Sequence, residues 1–334
     1  MKAIELQAHY IFVIVAGVFI LGFFIAIAGK LRSGSEDRAA FQISTAIKSA
    51  LTSTAQSPGS TLNLSFPKLM QYDCTNACDC SIQIGNKKTT IKESMFSPKE
   101  YPTTKATLFT KLFGTPPATN NIYITNPEYK YYLIYPEGNL VAEQIIKTIP
   151  EAIRMQAIPL SQISHLKFSG EIHSVIISLL LANPIIPPPE FETLTTIHIT
   201  SNSATYKTKT KKASTGGQAY FQDNDIPSIL AAIFSANENI MKCNLRKAHA
   251  RLEQVSTILK ARTQKLEQIT TAECRTLYVP VIPEIDAIIK KTQELKKKAG
   301  ETTSIPLNND LQMAQDALKE RNNVITNNGC PLVY

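Results

Sequence analysis

Hydrophobic positions change rhythm twice along this chain. The first texture is an unbroken run from Tyr10 to Gly29, YIFVIVAGVFILGFFIAIAG, 20 residues without a charge. A helix of that length rises ~30 Å, the thickness of a bilayer's hydrocarbon core. The run is apolar on every face, which argues against an amphipathic helix. His9 and Tyr10 stand at one end of it and Lys30 and Arg32 at the other, where interfacial side chains belong. Residues 10–29 therefore predict one transmembrane helix, with the lipid bilayer as its partner and residues 1–9 as a short tail. The next most apolar stretch, His173–Asn183 (HSVIISLLLAN), is too short to span and runs into the proline-rich 184–189, so it reads as a buried strand.

After the anchor, Phe41, Ile43, Ile47 and Leu51 keep a roughly helical spacing, and Ser57-Pro58-Gly59-Ser60 ends it. Residues 30–60 are expected to form a helical stalk. The second texture, 61–225, is rich in β-branched residues and short alternations. It predicts strands at 62–66, 81–85, 89–95, 121–125, 129–135, 173–181, 194–200, 204–209 and 218–222. A helix at 141–148 followed by a strand at 155–160 suggests a strand–helix–strand unit and a partly parallel sheet. Lys207–Gly217 reads as an exposed hairpin tip, with Gly216-Gly217 as its turn.

The third texture is a 3-4 alternation. Leu245, Ala248, Leu252, Val255, Leu259, Leu266 and Ile269 form a heptad seam, interrupted at Arg262, on a helix expected from 237 to 272. Pro280 and Pro283 separate it from a second helix, 284–298, and 309–322 supplies a third. Short connections favour antiparallel packing. The fold class expected is thus α+β: an N-terminal transmembrane helix, a mixed sheet domain (61–225), and a C-terminal antiparallel helical bundle with one long helix (226–334). The seam itself reads as internal core, with partner docking as the alternative.

The net charge of +8 changes this picture little. Acids and bases are interspersed on the C-terminal helices, and only 207–212 and 296–298 are basic runs, so no nucleic acid is expected as a partner. Chemistry is sparse. His9, His165, His173, His198 and His249 form no metal-ligand spacing, and the chain has no nucleophile elbow, phosphate-binding loop or dinucleotide fingerprint. No catalytic residue, cofactor or metal is assigned.

The cysteines are more informative. Cys74, Cys78, Cys80, Cys243, Cys274 and Cys330 are even in number, which fits three disulfides in an oxidising compartment. A metal or cluster site at Cys74-x3-Cys78-x-Cys80 and free thiols are the alternatives. One continuous helix would hold Cys243 and Cys274 ~46 Å apart, too far to bridge. A chain running up, down and up returns Cys330 to Cys274, making that the preferred pair. Cys243 then faces the 74/78/80 cluster, leaving the other two to pair locally. Asn63-Leu64-Ser65 is a glycosylation sequon, meaningful only for an outward-facing domain.

Orientation is contested. Lys2 before the span against Lys30, Arg32 and Arg38 after it favours a cytoplasmic body, whereas the cysteines favour an extracytoplasmic one. Ala26-Ile27-Ala28 offers a signal-peptidase site, and Glu5 ahead of the apolar run suggests a pilin-like leader.

The segments HYIFVIVAGVFILGFFIAIAGK, Phe96-Ser97-Pro98, NIYITNPEYKYYLIY and the closing CPLVY resemble single-span, membrane-anchored proteins of small-genome archaea. The resemblance covers most of the chain: anchor, cysteine-containing sheet domain, helical region ending in Cys-Pro. It implies an archaeal envelope setting and no catalytic residues. The expectation is a membrane-anchored, extracytoplasmic structural or interaction protein with a protein partner or a second copy of itself. A pilin-like filament or secretion-apparatus subunit, and a membrane-bound enzyme without a motif, are the alternatives.

Overall fold

In a computed structural model of the chain, the described residues are 61–66, 68–113, 117–165, 173–184, 193–210, 214–221, 225–299 and 310–334. Within 30–60 only Gln42, Thr45 and Ser49 are described, and all three are helical. The predicted anchor at 10–29 lies outside the described residues. Among those that are described, no helix is long and apolar enough to cross a membrane.

From residue 61 the described chain forms seven strands in succession: β1 (Thr61–Ser65), β2 (Met70–Cys74), β3 (Cys80–Ile84), β4 (Lys87–Ile91), β5 (Met95–Phe96), β6 (Lys105–Phe113) and β7 (Thr119–Thr125). β2, β3 and β4 form an antiparallel meander, while the others form a mixed sheet in the order β1-β6-β7-β5. Next come β8 (Lys130–Tyr135), α1 (Leu140–Thr148), β9 (Met155–Pro159), β10 (His173–Leu179), β11 (Thr193–Ile199), β12 (Ser203–Thr210) and β13 (Ser214–Tyr220). These strands make a six-stranded sheet, β13-β12-β11-β10-β8-β9. Its β11-β10-β8-β9 part is parallel and its β13-β12-β11 part antiparallel. The α1 crossover begins where Asn139 accepts the Ala142 N–H at 2.9 Å, an N-cap that satisfies one of the helix's orphan donors.

Five helices complete the chain: α2 (Ile226–Ser235), α3 (Glu238–Ile269), α4 (Ala272–Tyr278), α5 (Val281–Lys298) and α6 (Asp310–Asn327). α2 is buried from Ser228 to Ser235. A helix apolar all round must be enclosed, and α2 touches β5, β6 and β7 of one sheet and β11 of the other. Phe234 is its keystone, with ring centroids 5.1 Å from Phe109, 5.8 Å from Tyr123 and 5.5 Å from Tyr131. Asp225 caps α2 by accepting the Ser228 N–H at 3.0 Å, and burial raises the pKa of its carboxyl. The chain then turns through Ala236, in the left-handed region at φ 48°, and restarts at Asn237, whose Oδ1 accepts the Ile240 N–H of α3.

The helical region is built on α3. α5 runs back along it, as the pairs Lys260–Asp286 (2.7 Å) and Lys296–Glu253 (2.5 Å) show, and α6 packs on α5 with Lys291–Asp310 at 2.8 Å. Leu245, Ala248, Leu252 and Leu259 are buried as the heptad pattern predicts. The seam then differs from expectation. Ser256 and Thr263 are buried, Val255 packs at the margin, Arg262 faces outward, and Ile269 is 68% exposed. An undistorted helix turns 100° per residue, so a 3-4 pattern drifts by one position along its length. One apolar cluster runs without a break from Phe96 and Phe109 through α2 and α3 to Leu318 and Val333. A second, containing Tyr72, Met95, Leu108 and Ile122, lies on the other face of the β6–β7 pair.

Several strands differ from the sequence reading. β2 and the nine-residue β6 were not expected, and the predicted strand 89–95 divides into β4 and β5, which belong to different sheets. Gly216 and Gly217 are not a turn but part of β13. Gly217 faces α3, where an added Cβ would lie 1.8 Å from Glu238 Oε2 and would force that side chain to move.

Two consequences are measurable. Phe234→Ala should lower unfolding free energy by about 3–5 kcal/mol, because neither sheet can collapse into the gap; chemical denaturation would read this. His249 of α3 is buried edge-on to Phe113, with ring centroids 5.0 Å apart, and burial holds its pKa down to about 3. The folded state thus keeps it neutral, so its stabilising contribution is complete above the unfolded-state pKa near ~6.5 and is lost as pH falls from there. Between pH ~7 and ~5 the loss should reach about 2 kcal/mol. His249→Gln should flatten that slope whatever its effect on absolute stability.

Candidate functional site

The strongest concentration of unusual chemistry lies where the β2–β3 hairpin meets the start of α3. Met70, Tyr72 and Cys74 alternate inward with Gln71 and Asp73 outward, which places Cys74 on the buried face of β2. Cys74 and Cys80 are direct register partners, with Cα atoms 4.0 Å apart, and form a disulfide. Between them the chain makes a tight turn. Cys78 N–H donates to Thr75 O at 2.8 Å, Thr75 N–H to Asp79 O at 3.1 Å, and Cys78 takes φ 67°. This turn presents Cys78 to α3, where it bonds Cys243 across a Cα separation of 4.9 Å and a sequence separation of 165. Cys274 on α4 bonds Cys330, with Cα atoms 5.7 Å apart. Among the described residues no cysteine is free.

Asn244 reinforces the junction. Its Oδ1 accepts from Tyr72 Oη at 3.1 Å and from Met95 N–H at 3.0 Å, its Nδ2 donates to Ile240 O at 2.9 Å, and its backbone oxygen accepts from Ser94 Oγ at 2.9 Å. One fully buried amide therefore ties α3 to β2 and to β5. Asn239 adds a bond from Nδ2 to Cys74 O at 2.5 Å. Burial pushes the Tyr72 hydroxyl well above the usual phenol range, so it stays protonated and donates. At the opposite end of α3, Tyr278 Oη donates to Pro331 O at 2.6 Å and Arg262 Nη2 to Leu332 O at 3.1 Å, fixing the segment after Cys330.

Above the Cys78–Cys243 bridge the surface is concave and basic. One depression of about 290 Å³ is lined by Cys78, Cys243, Arg246, Lys247, Lys296 and Lys297. A second, of about 370 Å³, is lined by Lys92, Glu93, Ser94, Lys247, Arg251 and Gln254. They share Lys247 and Ala250. Arg246 Nη1 lies 3.6 Å from Cys78 Sγ. Lys247 is half-buried, its Nζ donates to Ile91 O at 2.7 Å, and burial pulls its pKa down against the smaller opposing pull of Glu93 and Asp79. Lys296 is paired with Glu253, whereas Lys92, Lys247, Arg251 and Lys297 form no ion pair among the described residues.

The remaining sequence-derived candidates lie apart from this junction. Asn63 is exposed on β1, its Oδ1 accepting from Thr107 Oγ1 at 3.0 Å. His198 sits half-buried on β11 with its pKa lowered by burial. Among the described residues no group of three or more His, Cys, Asp or Glu side chains is arranged to hold a metal. The basic runs noted in the sequence are split by the fold. Lys207 and Lys209 are exposed on β12, while Lys296 and Lys297 reach the groove. Lys92, Lys247 and Arg251 were not anticipated, although Lys247, Arg251 and Gln254 have the i, i+4, i+7 spacing that puts them on one helix flank.

The two junction bridges should differ in worth. In the chain-entropy picture, closing the loop from Cys78 to Cys243 restrains the unfolded chain by about 5 kcal/mol, against about 2–3 kcal/mol for the short Cys74–Cys80 loop. Guanidinium unfolding should show Cys78→Ala/Cys243→Ala losing roughly twice as much stability as Cys74→Ala/Cys80→Ala. Equal losses would mean that the long bridge closes a contact the unfolded chain already keeps.

No known family model, no curated protein and no solved structure matches this chain.

Proposed function

We propose that the chain is a membrane-tethered, extracytoplasmic interaction protein of the cell envelope, held by a single span at 10–29, with the sheets and helices as a binding platform. The observation that carries the reading is that six cysteines, drawn from segments as distant as 78 and 243, all stand in disulfide pairs. Such bridges persist in oxidising compartments and are rare in a reducing cytosol. The apolar run 10–29 supports the tether, and the resemblance to single-span archaeal proteins supports the envelope setting. A protein partner, or a second copy of this chain, is the expected ligand of the platform.

Thiol labelling of intact cells with a membrane-impermeant reagent tests this. Labelling that appears only after reduction is the expected result. Thiols that label only after lysis, and then without any reductant, would place the body in the cytoplasm and end the proposal.

A further inference from the structure

We propose that the two adjoining basic depressions along α3 form one groove that binds a small phosphate-bearing anion, with Lys247 as its central contact. Lys247 is incompletely satisfied. An ammonium carries three donors and no acceptor, and only one of its bonds, to Ile91 O, is made within the described structure. It is half-buried without a carboxylate in ion-pair range, a placement that costs free energy unless an anion supplies the missing charge. Of the other half-buried lysines of the helical region, Lys242, Lys260, Lys291 and Lys296 each have an acidic partner, and Lys298, in the last turn of α5, has none among the described residues.

The surroundings repeat the pattern. Lys92, Arg251 and Lys297 face the same groove and form no ion pair among the described residues, of which Glu93 is the one acidic residue lining it. Cations from a strand end, a long helix and the last turn of α5 thus converge on two linked hollows. The Lys296–Lys298 run would by itself be read as complementing the negative C-terminal end of α5. That reading does not reach Lys92, Lys247 or Arg251, which lie on other elements. Point-like ammonium groups around two forked guanidiniums, Arg246 and Arg251, suit tetrahedral oxyanions with several acceptor oxygens. The paired hollows, about 290 and 370 Å³, suit a ligand with more than one such group. Disulfide bonding of Cys78 to Cys243 fixes the floor, so the groove is formed before the ligand arrives. The chemistry is the same in any compartment and stands apart from the envelope reading.

The test is calorimetric titration of the full chain, disulfides intact in a nonionic detergent, with sodium tripolyphosphate at low salt. Saturable binding is expected, weakened about 10-fold or more in Lys247→Gln and severalfold in Arg251→Gln, since a charge-assisted hydrogen bond is at stake. Lys247→Arg should keep most of the affinity, and Lys207→Gln/Lys209→Gln all of it. The Arg251 side chain makes no hydrogen bond within the described structure, so its variant reads the groove even if loss of the Lys247–Ile91 bond loosens the fold. Two sources of phosphate are separated by a soluble short-chain phosphatidic acid. Preference for it assigns a lipid headgroup, preference for tripolyphosphate a free phosphate, and either upholds the groove. The proposal is overturned by absence of saturable binding, by equal weakening in the β12 double variant, by citrate binding as tightly, or by an oligonucleotide binding more tightly with the same dependence on Lys247.

Discussion

A helix with no polar face can exist in water only if something encloses it, and α2 is such a helix. From Ser228 to Ser235 it presents no exposed side chain, so the β1-β6-β7-β5 sheet and the six-stranded sheet must stand on either side of it. Burial of that kind leaves backbone donors and acceptors at both helix ends with no recourse to solvent. The chain meets this at the front with Asp225. Along the length, core tyrosines add their own bonds. Tyr123 Oη donates to Pro227 O at 3.2 Å and Tyr206 Oη to Ala232 O at 3.3 Å. These hydroxyls hang from rings that also fill the core, so each tyrosine both packs against α2 and satisfies a carbonyl of it. The high pKa that burial imposes on them is therefore the ordinary state of a donor in a low-dielectric interior, and needs no catalytic explanation.

The left-handed residue Ala236 then allows α3 to leave α2 at an angle and run out of the sheets. Everything beyond depends on this exit. The first two turns of α3 stay inside the sheet region, bolted by Asn244 to two strands and by Cys243 to a third element, the β2–β3 turn. The later turns carry α5, which carries α6. The apolar cluster shared by sheets and helices means that neither part buries its hydrophobic surface without the other.

Much of this was readable from the residues alone, and the failures are physical. Strands β10 and β11, β-branched and bounded by proline, announce themselves, as does the strand–helix–strand unit from β8 to β9. β6 hides because it lies inside its sheet with both faces largely covered, and KATLFTKLF shows no alternation to detect. β2 does alternate, and Met70, Tyr72 and Cys74 could have been recognised. The break between β4 and β5 has no local signature, since a strand's choice of sheet is a tertiary decision. α2 is too short and too uniformly apolar for periodicity to distinguish it from a buried strand. Helix length correctly separated Cys243 from Cys274 and drew Cys330 toward the latter. The basic groove was invisible for another reason. Lys92 and Lys247 are 155 positions apart, and in a stretch of mixed charge only the fold reveals which lysines have been given acidic partners and which have not.

The Cys78–Cys243 bridge also decides how the molecule would transmit a mechanical pull. Tension entering from the N-terminal side and leaving through the C-terminal helices passes from the β2–β3 turn straight across two sulfur atoms into α3. Residues 79–242, including the whole six-stranded sheet and α2, lie on a closed loop outside that path. Cys274–Cys330 does the same for α5 and α6. Drawn taut, the chain would extend only through what is left between the bridges, while most of its folded mass hung slack and intact beside the line of force.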